Sequence, residues 1–399
     1  MRRCATILSY LRPLLCVLVR IMDSIISLRD YCRTEREWLL ETIETLVRLE
    51  SPTTDKAAVD RCGAELMSRL EAIGGRVTKL PRAERGDHVL AEFGCGASQL
   101  LVLGHFDTVW PVGQLERMPL VRRDGKLHGP GIFDMKAGVV QLLFALAAVG
   151  ERGGLDGVTL VLTTDEEIGS PSSRDLLAEE AKGVRAALIP EPSFAGALKT
   201  ERKGVALYRL EAVGRAAHAG LDPEQGINAA LEVARQVLEV AELAEPSAGT
   251  TVTPSLISAG TASNTVPASA VAHFDVRFAT REEGERIAAA FAAVRPRIPG
   301  ASTSVQRETF VPPLERSSSR ELFELAHRLQ GELGLPPLRE ASVGGGSDGN
   351  HIAALGVPTL DGLGAVGDHA HGEGECVVVS AMAERAALLA ALVSELLSA

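Results

Sequence analysis

Aromatic side chains are scarce in this chain. Its 399 residues include ten Phe, three Tyr and two Trp, no stripe of Lys and Arg interleaves with them, and the net charge is −11. The stacking platforms and phosphate-tracking cations of a nucleic-acid binder are therefore missing. Cysteine is as sparse: Cys4, Cys16, Cys32, Cys62, Cys95 and Cys376 form no CxxC pair and no regular framework. That argues against a disulfide scaffold and fits a reducing, cytoplasmic compartment. At the N-terminus, arginines at positions 2, 3, 12 and 20 leave only Pro13 to Val19 as an uninterrupted apolar run, too short to span a membrane and without a small-residue cleavage site. Neither export nor a membrane partner is expected, and an over-long start with Met22 as the true beginning explains the segment at least as well. There is no internal repeat or low-complexity tract. Apolar residues are abundant at 46%, enough for more than one core in a chain long for a single domain.

Leu100 to Thr108 reads LLVLGHFDT, an apolar strand running into a His and an Asp two residues apart. On a strand exit, residues i and i+2 point the same way, so His105 and Asp107 can reach one site. Imidazole binds Zn²⁺ well, and its second ring nitrogen needs a carboxylate to fix the tautomer. The arrangement recurs: Val158 to Thr164 ends in Asp165, Glu166 and Glu167, and Val184 to Ile189 ends in Pro190, Glu191 and Pro192. Between the Leu100 and Val158 strands, the Gly-rich turn GPGIFDMKAG places Asp134 just before the apolar helical run Gly138 to Ala148. Ligands of open α/β sheets collect at the carboxyl ends of strands. Singly, each acid reads as a helix cap or a solvated loop residue. Together on one edge they would repel one another unless a cation compensated them. A binuclear Zn²⁺ site meets that need, with one carboxylate bridging metals roughly 3.5–4 Å apart. Gly367 to Glu375 supplies a further His, at 369 or 371.

Periodicity predicts a helix over Thr34 to Leu49, with Thr34 and Glu37 as a capping box, and another over Ala57 to Ile73. Strands are expected at Arg76 to Leu80, His88 to Phe93 and Leu100 to Leu103, the alternation of a layered α/β domain. After Arg202 the pattern changes. Strands at Val205 to Val213, Thr251 to Ala259, Ala270 to Phe278 and Ser302 to Gln306, with helices at Gly226 to Ala244 and Arg281 to Val294, describe an α+β insert.

In combination, GHFDTV, GPGIFDMKAG, TTDEEIGS, IPEPS, GRAAHAG, SNTVP, DVR and GGGSDGN make residues 36 to 397 resemble the co-catalytic zinc metallopeptidases. That group includes glutamate carboxypeptidase, aminoacylase, acetylornithine deacetylase and succinyl-diaminopimelate desuccinylase. The nearest likeness is to the glutamate carboxypeptidase branch. The resemblance implies an α/β fold, a zinc-peptidase-like mixed sheet between helices with an inserted ferredoxin-like α+β domain for dimerisation and active-site cover. It divides the chain into an extension at 1–33, a catalytic domain at 34–203 and 315–399, and the insert at 204–314. It implies two Zn²⁺ per subunit, with Co²⁺ or Mn²⁺ as substitutes, and a homodimer. His105 and Glu191 would hold one zinc, Glu167 and a C-terminal His the other, and Asp134 would bridge them. Asp107 would orient His105, and Glu166 would be the general base. One of the two adjacent glutamates must coordinate while the other stays free to take a proton; which does which rests on the resemblance alone. The pattern of a His followed four residues later by Glu picks His371 over His369. Ala137 stands where the family often has Gly.

Within the insert, the resemblance makes His218 a donor to the oxyanion across the dimer, a role suited to a carbonyl becoming tetrahedral. Asn264 and Arg277 would hold the substrate's carboxylate; without the resemblance, Arg277 reads as a strand salt-bridge residue. SVGGGSDGN lacks phosphate-loop spacing, and Gly345 and Gly346 are expected to let a ligand carboxylate approach main-chain N–H groups. Lys203 and Arg215 are further candidates for a substrate acid. The expected activity is zinc-dependent release of a C-terminal amino acid, an acidic one, from an N-acyl or short peptidyl substrate. A small-molecule N-deacylase is the alternative within the same chemistry, and a non-catalytic binding protein the alternative of another class.

Overall fold

The computed structural model describes residues 25–398. The N-terminal segment whose start the sequence leaves open, with Cys4 and Cys16, lies outside them. The chain divides into two units. The first comprises the described residues up to Thr200, Ser317–Ala341 and the chain from Leu355 onward; the second comprises Glu201–Arg316 and Ser342–Ala354.

The first unit is built on a six-stranded mixed sheet in the order Arg76–Leu80, His88–Phe93, Val158–Thr163, Leu100–His105, Ala186–Leu188, Thr359–Leu360. The last four strands run parallel, while the first two join antiparallel. Every residue of Leu100–His105 and of Val158–Thr163 is buried. Both faces of these central strands are covered, so their sequences are continuous apolar runs without alternation. The helix Ala137–Gly150 packs on Met382–Ser398 and Arg36–Arg48. Its own sequence is apolar on nearly all sides because it is interior. Lys56–Ala72 packs on the two antiparallel strands. A small antiparallel sheet, ordered Gly367–Asp368, Cys376–Val378, Lys126–His128, Val121–Arg123, carries the loop between 368 and 376.

The capping box expected at Thr34 does not form. Residues 25–34 are already helical, and the Thr34 hydroxyl donates back to the Asp30 carbonyl at 2.9 Å. The following helix starts at Arg36 with no side-chain cap. A Ser or Thr inside a helix bonds the preceding turn, which removes it as a cap.

The second unit is a four-stranded antiparallel sheet, ordered Thr251–Ala259, Ser269–Phe278, Gly204–Val213, Ser302–Val311. With Ala229–Ala241 and Arg281–Ala292 in chain order it is the βαββαβ arrangement of ferredoxin-like folds. Tyr208, Leu210, Phe274 and Phe291 are buried in its core. The closing strand runs to Val311, beyond the expected Gln306. The run 342–354, grouped from sequence with the catalytic segment, belongs to this unit. Lys203 N donates to Val343 O at 3.0 Å, Arg202 Nε to Gly345 O at 2.9 Å and Asn350 Nδ2 to Pro312 O at 2.7 Å.

Gly138 shows how tightly the first unit is assembled near its strand ends. A Cβ there would lie 1.9 Å from the Pro190 carbonyl oxygen, a backbone atom that cannot rotate away. Helix propensity alone favours Ala over Gly by about 1 kcal/mol. Gly138→Ala should nevertheless destabilise by roughly 1–3 kcal/mol, as overpacking does. Urea denaturation checks this, and a gain in stability would contradict the packing described.

Candidate active site

Three parallel strands deliver their exits to one edge. Leu100–His105 ends in His105, Val158–Thr163 runs into Glu166 and Glu167, and Ala186–Leu188 runs into Glu191. His105 Nε2 lies 3.3 Å from Asp134 Oδ1, 3.5 Å from Glu191 Oε1 and 3.8 Å from Glu166 Oε2. From the C-terminal loop, His371 Nε2 lies 3.4 Å from Asp134 Oδ2 and 3.1 Å from Glu167 Oε2. Asp134 thus presents one oxygen to each imidazole. His369 is on the same loop but exposed, its ring nitrogen 3.8 Å from Asp368. The structure therefore brings His371, and not His369, to the cluster.

The electrostatics follow from the crowding. Although burial works against it, the imidazoles of His105 and His371 hold the Asp134 carboxyl below the usual carboxylate range. Burial raises Glu167. The Asp134 and Glu167 carboxylates push His371 up to about 10. For His105, burial opposes protonation, but Asp107, Asp134 and Glu191 outweigh it and raise its pKa. In the protein alone, imidazolium charge offsets carboxylate charge.

Several residues hold these groups in place. Asp107 is fully buried: its main-chain carbonyl is the hydrogen-bond partner of His105 Nδ1 at 3.1 Å, its Oδ1 lies 3.4 Å from the same nitrogen, and its Oδ2 accepts from Thr53 Oγ1 at 2.7 Å. This directs Nε2 of His105 toward the other acids. Asp165 accepts from Ser172 N and Oγ and from Ser173 Oγ, which fixes the turn carrying Glu166 and Glu167. Glu375 is 1% exposed, and in the sequence its spacing from His371 is the only signal it carries. It accepts from Trp110 Nε1 (2.7 Å) and from Gly131 N (2.8 Å), Phe133 N (2.8 Å) and Asp134 N (3.0 Å). It therefore clamps the turn that positions Asp134, where the Asp134–Met135 peptide is cis. Lys199, 3.8 Å from Glu191 Oε2, carries no motif that would have singled it out.

The other sequence-derived candidates lie in the second unit. His218 Nδ1 accepts from Gly220 N and Leu221 N, both at 3.1 Å, in an exposed loop. That loop bonds Asn264, whose carbonyl accepts from Ala219 N at 2.9 Å. Arg277 pairs with both oxygens of Asp275 at 2.7 and 2.8 Å and reaches Gly344 O at 3.3 Å. Three of its five N–H donors are thus engaged within the unit. Arg215 Nε donates to Gln225 O at 2.6 Å, and the Lys203 main chain anchors the 342–354 run through Val343 and Asn350. At Gly345 it is the carbonyl that is engaged, by Arg202, and Gly346 packs toward Val311.

Comparison with known proteins decides what this geometry belongs to. Residues 101–395 match Peptidase family M20/M25/M40. The chain belongs to this family. Carboxypeptidase G2 of Pseudomonas sp. (strain RS-16) is 32% identical over 373 residues, covering 91% of this chain and 90% of its own length. Aminopeptidase PepT from Bacillus cereus superposes with a TM-score of 0.76 at 22% identity, over 90% of this chain and 98% of that one. An M20 family metallo-carboxypeptidase from Sulfolobus solfataricus does so with a TM-score of 0.67 at 15% identity, over 90% of this chain and all of its own (100%). Like its family, the chain is a hydrolase, a metallopeptidase.

The residues present fit metal ions. His105 Nε2, Asp107 Oδ1 and Glu167 Oε1 are buried without a hydrogen bond to the protein. His105, Glu166 and Glu191, and again His105, Asp134 and Glu167, bring ligand atoms within 4.8 Å of one another. Because Glu375 shapes this cluster without joining it, Glu375→Gln should lower metal affinity about 10–100-fold, the effect of losing a buried orienting partner. Calorimetric metal titration checks this, and native affinity would contradict the clamp.

Proposed function

We propose that the chain is a dizinc carboxypeptidase that releases a C-terminal amino acid, preferring an acidic one, from an N-acyl or short peptidyl substrate. The observation that carries this reading is the Asp134 carboxylate, with one oxygen 3.3 Å from His105 and the other 3.4 Å from His371. Around it the remaining acids sort into two sets. His105, Glu191 and Asp134 Oδ1 would hold one ion; His371, Glu167 and Asp134 Oδ2 would hold the other. Glu166, whose Oε2 also lies 3.8 Å from His105 Nε2, is assigned the base role by the family resemblance. Zn²⁺ suits this donor set of imidazoles and carboxylates, with Co²⁺ or Mn²⁺ as substitutes.

When bound, such a metal pair supplies Lewis acidity at the scissile carbonyl and lowers the pKa of an attacking water. Glu166 takes the proton of that water and returns it to the departing amine. Asp107 keeps His105 in the tautomer whose Nε2 lone pair is available. His218, from the partner of a homodimer, donates to the developing oxyanion. Asn264 and the remaining N–H groups of Arg277, held rigid by Asp275, receive the carboxylate of the leaving amino acid. Lys203 and Arg215 add positive charge for an acidic side chain.

Two experiments test the reading. Glu166→Gln should keep both ions while turnover falls by roughly 10²–10⁴-fold, the contribution of a general base; Glu167→Gln should lose one ion. Metal content by mass spectrometry decides, and loss of an ion from Glu166→Gln alone reverses the two roles. For the substrate, an N-acyl glutamate should be cleaved with kcat/KM roughly ten to a hundred times that of its α-amide, since the amide deprives Asn264 and the N–H groups of Arg277 not held by Asp275 or Gly344 of a charge-assisted hydrogen bond, about 1.5–3 kcal/mol. Equal rates on acid and amide would sink the carboxylate clamp. Preference for N-acyl alanine would keep the clamp and remove the acidic specificity, leaving the N-deacylase reading.

A further inference from the structure

The helix Met382–Ser398 carries a guanidinium into the core of the first unit. Arg385 is 5% exposed, and the groups it bonds are backbone carbonyls. Its Nε donates to Gly364 O at 2.9 Å, its Nη1 to Gly196 O at 3.4 Å, and its Nη2 to Gly362 O. Burial pulls its pKa down to about 10, which leaves it cationic at neutral pH. Burying a cation against neutral oxygens alone is costly, so the value of the arrangement lies in the carbonyls it fixes.

Those carbonyls lie beside Glu191, given above to one of the two ions. Gly364 N donates to Glu191 O at 2.9 Å, and Leu363 N donates to Ile189 O at 3.2 Å. A Cβ on Gly364 would meet Pro190 O at 2.1 Å and Glu191 O at 2.9 Å, and one on Gly138 would sit 3.6 Å from Gly364 Cα. The helix that follows Asp134, the segment that carries Glu191 and the 362–364 turn therefore meet backbone to backbone.

We propose that Arg385 is a positioning residue for the metal site: by gripping Gly362 and Gly364 it sets the backbone of Glu191 and hence the carboxylate beside His105. The proposal rests on Glu191 being a metal ligand. A planar fork can serve several carbonyls at once, whereas the point charge of a lysine cannot. Arg385 also lines a cavity of about 270 Å³ with Gly196 and Arg339, room for a small guanidinium to replace a truncated side chain.

The test uses the full chain with Arg385→Ala and Arg385→Lys, metal-free and metal-loaded, beside Glu191→Gln as a reference. In the metal-free variants, amide hydrogen exchange at Leu363 and Gly364 should accelerate about 10–100-fold. Affinity for one of two Zn²⁺ ions should fall roughly 10–100-fold. Lysine should not restore either, and millimolar methylguanidinium should restore both to Arg385→Ala. Native exchange at those amides, native affinity for both ions, or full restoration by lysine overturns the proposal. So does failure of both variants to fold with or without zinc, which makes Arg385 a core residue only. If Glu191→Gln keeps both ions, the ligand reading has failed; if it loses one while the Arg385 variants keep both, the positioning role has failed.

Discussion

Carboxylates crowded on one edge of a sheet repel each other, and the first unit is arranged around the means of tolerating that repulsion. Asp107, Asp134, Glu166, Glu167 and Glu191 converge with two imidazoles, the His105 ring buried and the His371 ring half exposed. Asp134 sits between His105 and His371 and shares an oxygen with each. In the protein alone the histidines carry the compensating charge, with His371 raised to about 10 by Asp134 and Glu167. Metal cations provide the same compensation with more charge and fixed geometry.

Holding such a cluster requires backbone precision, and the structure supplies it through glycine and through buried acceptors. Gly138 and Gly364 let three backbones touch where a side chain would collide with Pro190. Glu375 binds three main-chain N–H groups of the Asp134 turn, and Asp165 binds the turn after the glutamates. The oxygens of both acids are taken up by protein donors. They spend their charge on orientation, the usual work of an outer ligand shell.

The sequence made the strand exits legible because apolar β-branched runs ending in His or acid have a plain physical meaning. The insert was legible too, since its strands alternate buried and half-buried residues. Thr34 misled because a cap and a mid-helix Thr look alike when the preceding helix is not recognised. Glu375, Thr53 and Arg385 could not be read in their roles, because their partners are brought near only by the fold: Trp110 lies 265 positions from Glu375 and Asp107 lies 54 from Thr53. His369 and His371 share a loop and the same left-handed φ of 61°, so beyond the four-residue spacing to Glu375 it is the folded position of that loop that separates them. Structural relatives named as an aminopeptidase and a metallo-carboxypeptidase share the fold at 22% and 15% identity. Such a fold hosts different specificities, so the fold alone does not choose the substrate.

The central claim is that one carboxylate, Asp134, joins two metal ions. Anomalous diffraction from crystals grown with zinc tests it directly. The account predicts two peaks roughly 3.5–4 Å apart, one beside Asp134 Oδ1 with His105 and Glu191, the other beside Asp134 Oδ2 with His371 and Glu167. A single peak, or two peaks of which one is not bound by Asp134, would contradict it.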